Sequence, residues 1–477
     1  MLKNHLTSLF IAELPFTPTA SQQEMFEMLA LFISGEEGCS IMVVNGYAGT
    51  GKTSAISAAV RVLELYGQRV VLLAPTGRAA KVFSLYSGKP AFTVHKQIYR
   101  QKVAADVQSV FTLSYNTYSD ALFVVDEASM ISDQNAEQSL FGSGNLLRDL
   151  VEYVQQGKNC KLLLVGDDAQ LPPVGMDKSP ALSNNTMTTF GKVLYARLTE
   201  VVRQEANSGI LANATAIRQL VTANSATMPR FNVDYDDVSS VSGGDLIELL
   251  ESSYGKYGRD QVVVITRSNK RANVYNSGIR QRILYREEQL SIGDSLMVVK
   301  NNYFWTIALK ELDFIANGDI AVVEKIGRYE ERYGLTFADV RLRFPDYNDL
   351  ELDAKIIIDT LTSESASLLY EQSRLLYAGV NEDYAATTSR KKKWLQVKED
   401  PFYNALQVKF AYAITCHKAQ GGQWPVVFID HGYFTKEMLS IDFLRWLYTA
   451  FTRATTKLYL VNFSKEFFNQ VENYNNH

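Results

Sequence analysis

Gly46-Tyr47-Ala48-Gly49-Thr50-Gly51-Lys52-Thr53 fills every fixed position of G-x-x-x-x-G-K-[ST]. Ahead of it Ile41-Met42-Val43-Val44 is an apolar run of buried-strand type, and behind it Ser54 to Tyr66 carries helical spacing at Ile56, Val60 and Leu63. Strand, glycine-rich turn and helix in that order make a phosphate-binding loop. The glycines, Gly49 and Gly51 on either side of Thr50 among them, let the backbone bend until several N–H groups face one hollow, where the helix N-terminus adds its positive field. By the mechanics of the motif, Lys52 is expected to reach the β- and γ-phosphates of ATP, and the Thr53 hydroxyl to complete the shell of Mg2+.

Working outward, the loop needs a metal carboxylate and a base. Leu122-Phe123-Val124-Val125 runs directly into Asp126-Glu127, which suits Asp126 as metal partner and Glu127 as the group that orients and deprotonates water. Leu162 to Val165 leads to a competing pair, Asp167-Asp168. The first pair is favoured because the second continues as Ala169-Gln170-Leu171-Pro172-Pro173, a rigid turn better suited to sensing. Val70 to Ala74 is another strand-like run, and the Pro75-Thr76-Gly77-Arg78 turn after it belongs on the same sheet edge as the phosphate loop. There Thr76 either holds a nucleic-acid phosphate or starts an ordinary connection. Gln22-Gln23 precede the apolar positions Met25, Phe26, Leu29 and Phe32 of a capped helix, so a glutamine reads an adenine edge or marks a plain helix start. Phe111, Tyr115 and Tyr118 lie among polar residues, either to stack on bases or to pack inside a small hairpin.

At 477 residues the chain is long enough for about two to four domains. With 46% hydrophobic and 21% charged residues it is globular throughout. No apolar run approaches the about 18 residues that span a bilayer. Met1 to Leu14 lacks a secretory core, so a cytoplasmic address without a membrane partner is expected. Three widely spaced cysteines exclude a disulfide framework or a cysteine-based metal site. A net charge of −4 confines any nucleic-acid contact to a local groove.

In the second half, Ser208 to Gly258 reads as a hinge or long connection, with Pro229, Ser242-Gly243-Gly244 and an acidic cluster at Asp234, Asp236 and Asp237. Val262 to Ile265 restarts the strand and helix alternation, and from Gly293 short β-rich runs follow. The densest basic run, Arg390-Lys391-Lys392-Lys393-Trp394, is a solvated loop or a phosphate-and-base contact. Tyr412 to Gly421 and Trp446 to Ala454 are the remaining motif-like stretches.

The phosphate loop, Ala74-Pro75-Thr76-Gly77-Arg78, Thr93-Val94-His95, Asp126-Glu127-Ala128-Ser129 and Gly166 to Val174, in that order, resemble superfamily 1B helicases of the RecD and Dda kind. The resemblance implies an α/β fold of two RecA-like P-loop motor domains. The first, 1–230, would carry a small β-hairpin insert at about 97–119, and the second, 231–477, an SH3-like β-barrel insert at about 293–404. It further implies that Gln22 reads adenine, that Gln170 links the γ-phosphate to bound DNA, and that Thr76 and His95 face DNA. Arg203, within Leu198 to Gln204, would be one arginine finger and Arg453 a second. Thr415 and His417 would contact DNA, Gln420-Gly421 would relay nucleotide state, and Phe111 to Tyr118, with Tyr115, would form a strand-separating pin. The implied activity is 5′ to 3′ translocation on single-stranded DNA with opening of duplex junctions, by a monomer working with single-strand-binding, replication or repair partners. An RNA-directed helicase and an ATPase switch that does not unwind are the rival readings.

Overall fold

The computed structural model describes residues 2–35, 38–101, 111–134, 142–201, 208–307, 309 and 314–469. Its first sheet has six strands in the order Ala91–Thr93, Arg69–Ala74, Ala121–Val125, Lys161–Gly166, Ile41–Gly46 and Val193–Leu198, all parallel. The apolar runs explain this, because a parallel sheet is covered on both faces and its strands need no polar side. One face packs Met42, Val44, Ile56, Val60 and Leu163 with Phe10 and Phe26 of the N-terminal helices. The other packs Val43, Leu73, Phe123 and Val125 with Leu150 and Val154 of the helix Leu146–Gln156.

A second parallel sheet, with five strands in the order Ala413–Thr415, Val262–Thr266, Trp424–Asp430, Ala454–Val461 and Val238–Val241, forms the other lobe. Between the helix Asn269–Arg282 and the strand Ala413–Thr415 the chain makes a closed barrel of Ser295–Val298, Ile320–Arg332, Leu335–Phe344, Leu350–Ile357 and Leu406–Phe410. Closure needs the pairing of Leu296 with Phe410, so the barrel ends beyond the expected limit near 404. Barrel and second sheet share one core, in which Leu296, Val323 and Val340 meet Val264 and Phe428. A hairpin of Tyr99–Gln101 and Phe111–Leu113 rises from the first lobe; residues 102–110 of the expected insert lie outside the described residues.

Two expectations change. The stretch Ser208 to Gly258 is folded, as the helix Gly209–Thr222, the strand Val238–Val241 and the helix Leu246–Tyr257. Ile210, Ala214, Ile217 and Val221 pack with Phe443, Leu447 and Phe451, so the packing of the second lobe begins before residue 231. Within the acidic cluster Asp237 accepts from Ser208 Oγ at 2.7 Å and from Gly209 N at 2.9 Å, closing the helix start. The basic run is no loop either. Arg390–Lys398 is a helix capped by Ser389 and paired with Tyr370–Asp383, and Val397 and Val380 bury against the barrel residue Phe337. Among the described residues no helix is long and apolar enough to cross a membrane.

Candidate nucleotide site and nucleic-acid interface

Gly49 and Gly51 stand at φ 75° and 71°, the left-handed region that a side chain disfavours. Gly51 begins the helix Lys52–Leu65 without a side-chain cap, which leaves first-turn N–H groups for a ligand. Gly46 is packed: a Cβ there would lie 2.8 Å from Lys52 Cγ and 2.9 Å from Leu198 Cβ. Lys52 Nζ donates to Tyr47 O at 2.8 Å and lies 4.0 Å from Asp167. Thr50, fully buried, braces the turn by donating to Tyr47 O at 2.7 Å.

The adjacent strand end brings Asp126 to the loop, with Thr53 Oγ1 3.5 Å from its Oδ2. Burial first, and then Glu127, push the Asp126 carboxyl up to about 7, against the pull of the Glu127 N–H, Lys52 and Thr53. Glu127 donates its N–H to Asp126 Oδ1 at 2.8 Å and stands at φ 53°, a left-handed backbone held by a non-glycine beside the loop. Asp167 faces elsewhere. It is fully buried, accepts from Ala169 N at 3.0 Å and from Tyr448 Oη at 2.7 Å, and so joins Lys52 to the other lobe. The residues fit a magnesium nucleotide: one hydroxyl and one carboxylate converge beside an uncapped helix start, and a magnesium ion held there would take its remaining ligands from phosphate and water.

Other expected site residues are placed differently. Gln22 is fully buried; its Nε2 donates to Thr50 O at 2.9 Å and its Oε1 accepts from Thr19 N at 3.0 Å. Its amide therefore closes a capping box and braces the phosphate loop, with both its nitrogen and its oxygen engaged within the chain. Arg453 is also buried, donating to Thr449 O at 3.1 Å, Gly422 O at 3.2 Å and Thr452 Oγ1 at 3.1 Å, all in its own lobe. Its neighbouring carbonyls, and not the phosphate loop, satisfy the guanidinium here. Arg203 lies outside the described residues. Gln170 is buried, and its Oε1 finds no hydrogen-bond partner among the described residues.

The helix Ile441–Phe451 supplies contacts that motif reading missed. Arg445, Tyr448 and Thr449 share one face: Arg445 donates to the carbonyls of Asp168 and Gln170, Tyr448 Oη accepts from Ala48 N at 2.9 Å, and Thr449 Oγ1 accepts from Leu171 N at 2.8 Å. Gln420, one of the residues expected to relay nucleotide state, adds a bond from its Nε2 to Leu171 O at 2.8 Å, and the Arg218 guanidinium lies 4.2 Å from the centre of the Tyr47 ring. The signal was available, since beyond the first-turn Asp442 the polar residues of a mostly apolar helix fall at i, i+3 and i+4.

Thr76 caps the helix Gly77–Ser87, accepting from Ala79 N at 3.2 Å. Gly421, at φ 74°, comes so close from the second lobe that a Cβ would lie 2.8 Å from Ala79 Cβ and 3.4 Å from Thr76 Oγ1. The barrel joins them: a Cβ on Gly77 would lie 2.8 Å from Asp319 Oδ1, and Lys81 pairs with Asp346 at 2.9 Å. Thr415 starts the short helix Cys416–Ala419 with no capping bond from its hydroxyl, and His417 is exposed. Half-buried His95, whose ring centre is 5.7 Å from that of Tyr99, is held down at about 4 by burial and is neutral at pH 7. Of the aromatic residues, Tyr115 is 76% exposed, whereas Phe111 packs 5.2 Å from Tyr303 and Tyr118 packs 5.4 Å from Phe123. Phe111 is thus engaged with the barrel side of the molecule.

A buried parallel sheet with this loop, an acid-ended neighbouring strand and a second parallel lobe bonded across them define a two-lobed P-loop NTPase. Residues 19–228 match the family model of an AAA domain, and residues 410–461 that of a UvrD-like helicase C-terminal domain. The chain is 25% identical over 295 residues to the ATP-dependent RecD2 DNA helicase of Deinococcus radiodurans, a match covering 60% of this chain and 37% of that protein. It is 26% identical over 407 residues to the ATP-dependent DNA helicase dda of Enterobacteria phage T4, covering 80% and 85%. A Pif1 helicase from Bacteroides, solved with ADP-AlF3 and ssDNA, aligns over 95% of each chain with a TM-score of 0.47 and 15% identity. The matched segments take in the phosphate loop and the helix Ile441–Phe451, so the chain is similar to ATP-dependent DNA helicases in both lobes.

Proposed function

We propose that this chain is an ATP-dependent DNA helicase that moves 5′ to 3′ along single-stranded DNA and opens duplex junctions. The observation that carries the reading is a shared interface: the second lobe bonds to Ala48 and Leu171 beside the phosphate loop, and the same lobe touches the expected strand grip at Thr76 through Gly421. A change at the nucleotide is then felt at the strand.

Lys52 and the loop N–H groups bind the phosphates, Thr53 and Asp126 hold magnesium, and Glu127 takes the proton of the attacking water. Bound magnesium supplies charge neutralisation at the terminal phosphate. The orphaned Gln170 Oε1 lies on the loop between Asp167 and Leu171, which the second lobe grips, so it serves as the sensor. Arg203 and Arg453 act as fingers, Arg453 only after leaving the carbonyls of Thr449 and Gly422. Thr76 and His95 on one lobe, and Thr415 and His417 on the other, grip the strand, and Tyr115 offers an exposed ring for stacking.

The test is unwinding of forked and singly tailed DNA of each polarity with ATP and magnesium, beside matched RNA. Opening of 5′-tailed DNA alone is expected. Opening only of 3′-tailed substrates overturns the polarity, preference for RNA overturns the substrate, and stimulated hydrolysis without strand separation overturns the helicase reading in favour of a switch.

A further inference from the structure

We infer that the Tyr448 hydroxyl is a positioning latch that holds the phosphate loop to the second lobe in competition with the phosphates the loop binds. The inference rests on the nucleotide-site reading above. Tyr448 is 1% exposed, and both hydrogen-bond partners of its hydroxyl belong to the other lobe. The oxygen accepts from Ala48 N at 2.9 Å, an amide of the phosphate loop itself, and the proton goes to Asp167 Oδ2 at 2.7 Å. A neutral phenol thus occupies an N–H of the cradle.

Asp167 ties the second half of the latch to the same ligand. It lies 4.0 Å from Lys52 Nζ, so the phenol proton and the ammonium share one fully buried carboxylate. Burial and Asp167 hold the phenol well above its ordinary range, which keeps it protonated and donating. An anionic phosphate oxygen accepts more strongly than a neutral phenol, and it attracts Lys52 as well, so phosphate and latch exclude each other. One residue along, Thr449 Oγ1 holds Leu171 N at 2.8 Å, which places release of Tyr448 beside the bond to the sensor loop.

Tyr448→Phe keeps the ring and removes both bonds. In the full chain, with ADP and a non-hydrolysable ATP analogue as probes, the variant is expected to bind nucleotide about three- to tenfold tighter, the worth of one lost competing hydrogen bond. The ratio of strand-stimulated to strand-free turnover should fall by a similar factor. Unchanged or weaker binding with an unchanged ratio, at a lower melting temperature, overturns the latch and leaves an ordinary core tyrosine. If wild type binds neither probe, or Lys52→Ala binds them as wild type does, the nucleotide-site reading itself fails. Should Tyr448→Phe not fold, amide exchange in wild type decides: saturating nucleotide must speed exchange at Leu171, and slower or unchanged exchange overturns the proposal.

Discussion

Arg453→Ala tests at once where this guanidinium rests and what it does. The residue is 3% exposed and makes three hydrogen bonds, at 3.1, 3.2 and 3.1 Å. A bond from a charged donor contributes about 1.5–3 kcal/mol, but these lie at the long end of the distance range, so about 1 kcal/mol each is appropriate. Truncation should therefore cost about 3 kcal/mol. Thr449 O keeps a bond from Thr452 Oγ1 at 2.9 Å, so the loss falls mainly on Gly422 O. For a lobe of this size the cost corresponds to a melting shift of about 6–12 °C. Strand-stimulated hydrolysis should fall by about 10³ to 10⁵, the contribution of an arginine finger, while nucleotide binding changes little. Arg453→Lys keeps a charge without the planar fork, and should recover little of either quantity. Calorimetry and a coupled ATPase assay on the same preparations decide: an unchanged melting temperature refutes the placement, and near-normal turnover refutes the finger.

Gly46→Ala should reduce turnover by about 100-fold or more, because a Cβ 2.8 Å from Lys52 Cγ and 2.9 Å from Leu198 Cβ must push the flexible lysine aside; wild-type ATPase rates would contradict this. Asp294→Asn should cost about 3–5 kcal/mol in urea unfolding, since the buried carboxylate accepts from Arg280 at 3.0 Å, Arg286 at 2.6 Å and Tyr412 at 3.0 Å, joining barrel to second sheet. A loss below about 1 kcal/mol would show that these cations find other partners. Burial raises Asp319 to about 7, so across the window from about pH 4 to about pH 7 the folded chain holds a proton that the unfolded chain has released. Stability from this site is therefore greatest at the acid end and declines as pH rises through that window. Asp319→Asn should remove the slope, its advantage over wild type growing from about pH 5 to about pH 8 in thermal melts; a gap independent of pH would refute the assignment.

What could be read directly was local in the chain. The phosphate loop is one contiguous segment whose strand, turn and helix follow from neighbouring residues, and Asp126 is carried to it by an apolar strand of the same sheet. Gly209–Thr222 was obscured by flanking turn residues, although Ile210, Ala214, Ile217 and Val221 carry a helical repeat. Gln22 and Arg453 sit in readable motifs, yet their side chains answer to the nearest acceptors that packing provides.

The apolar runs and the glycine turn determined by themselves a phosphate loop between a buried strand and a helix, because these are properties of a few adjacent residues, while the second lobe facing it was what the resemblance carried by the order of the motifs implied. Only the tertiary structure decided that Tyr448 meets Ala48 across 400 residues, and that the barrel and Gly421 converge on the Thr76 turn. A hydrogen bond acts over about 3 Å of space, and no spacing along a chain encodes which distant surface will arrive there.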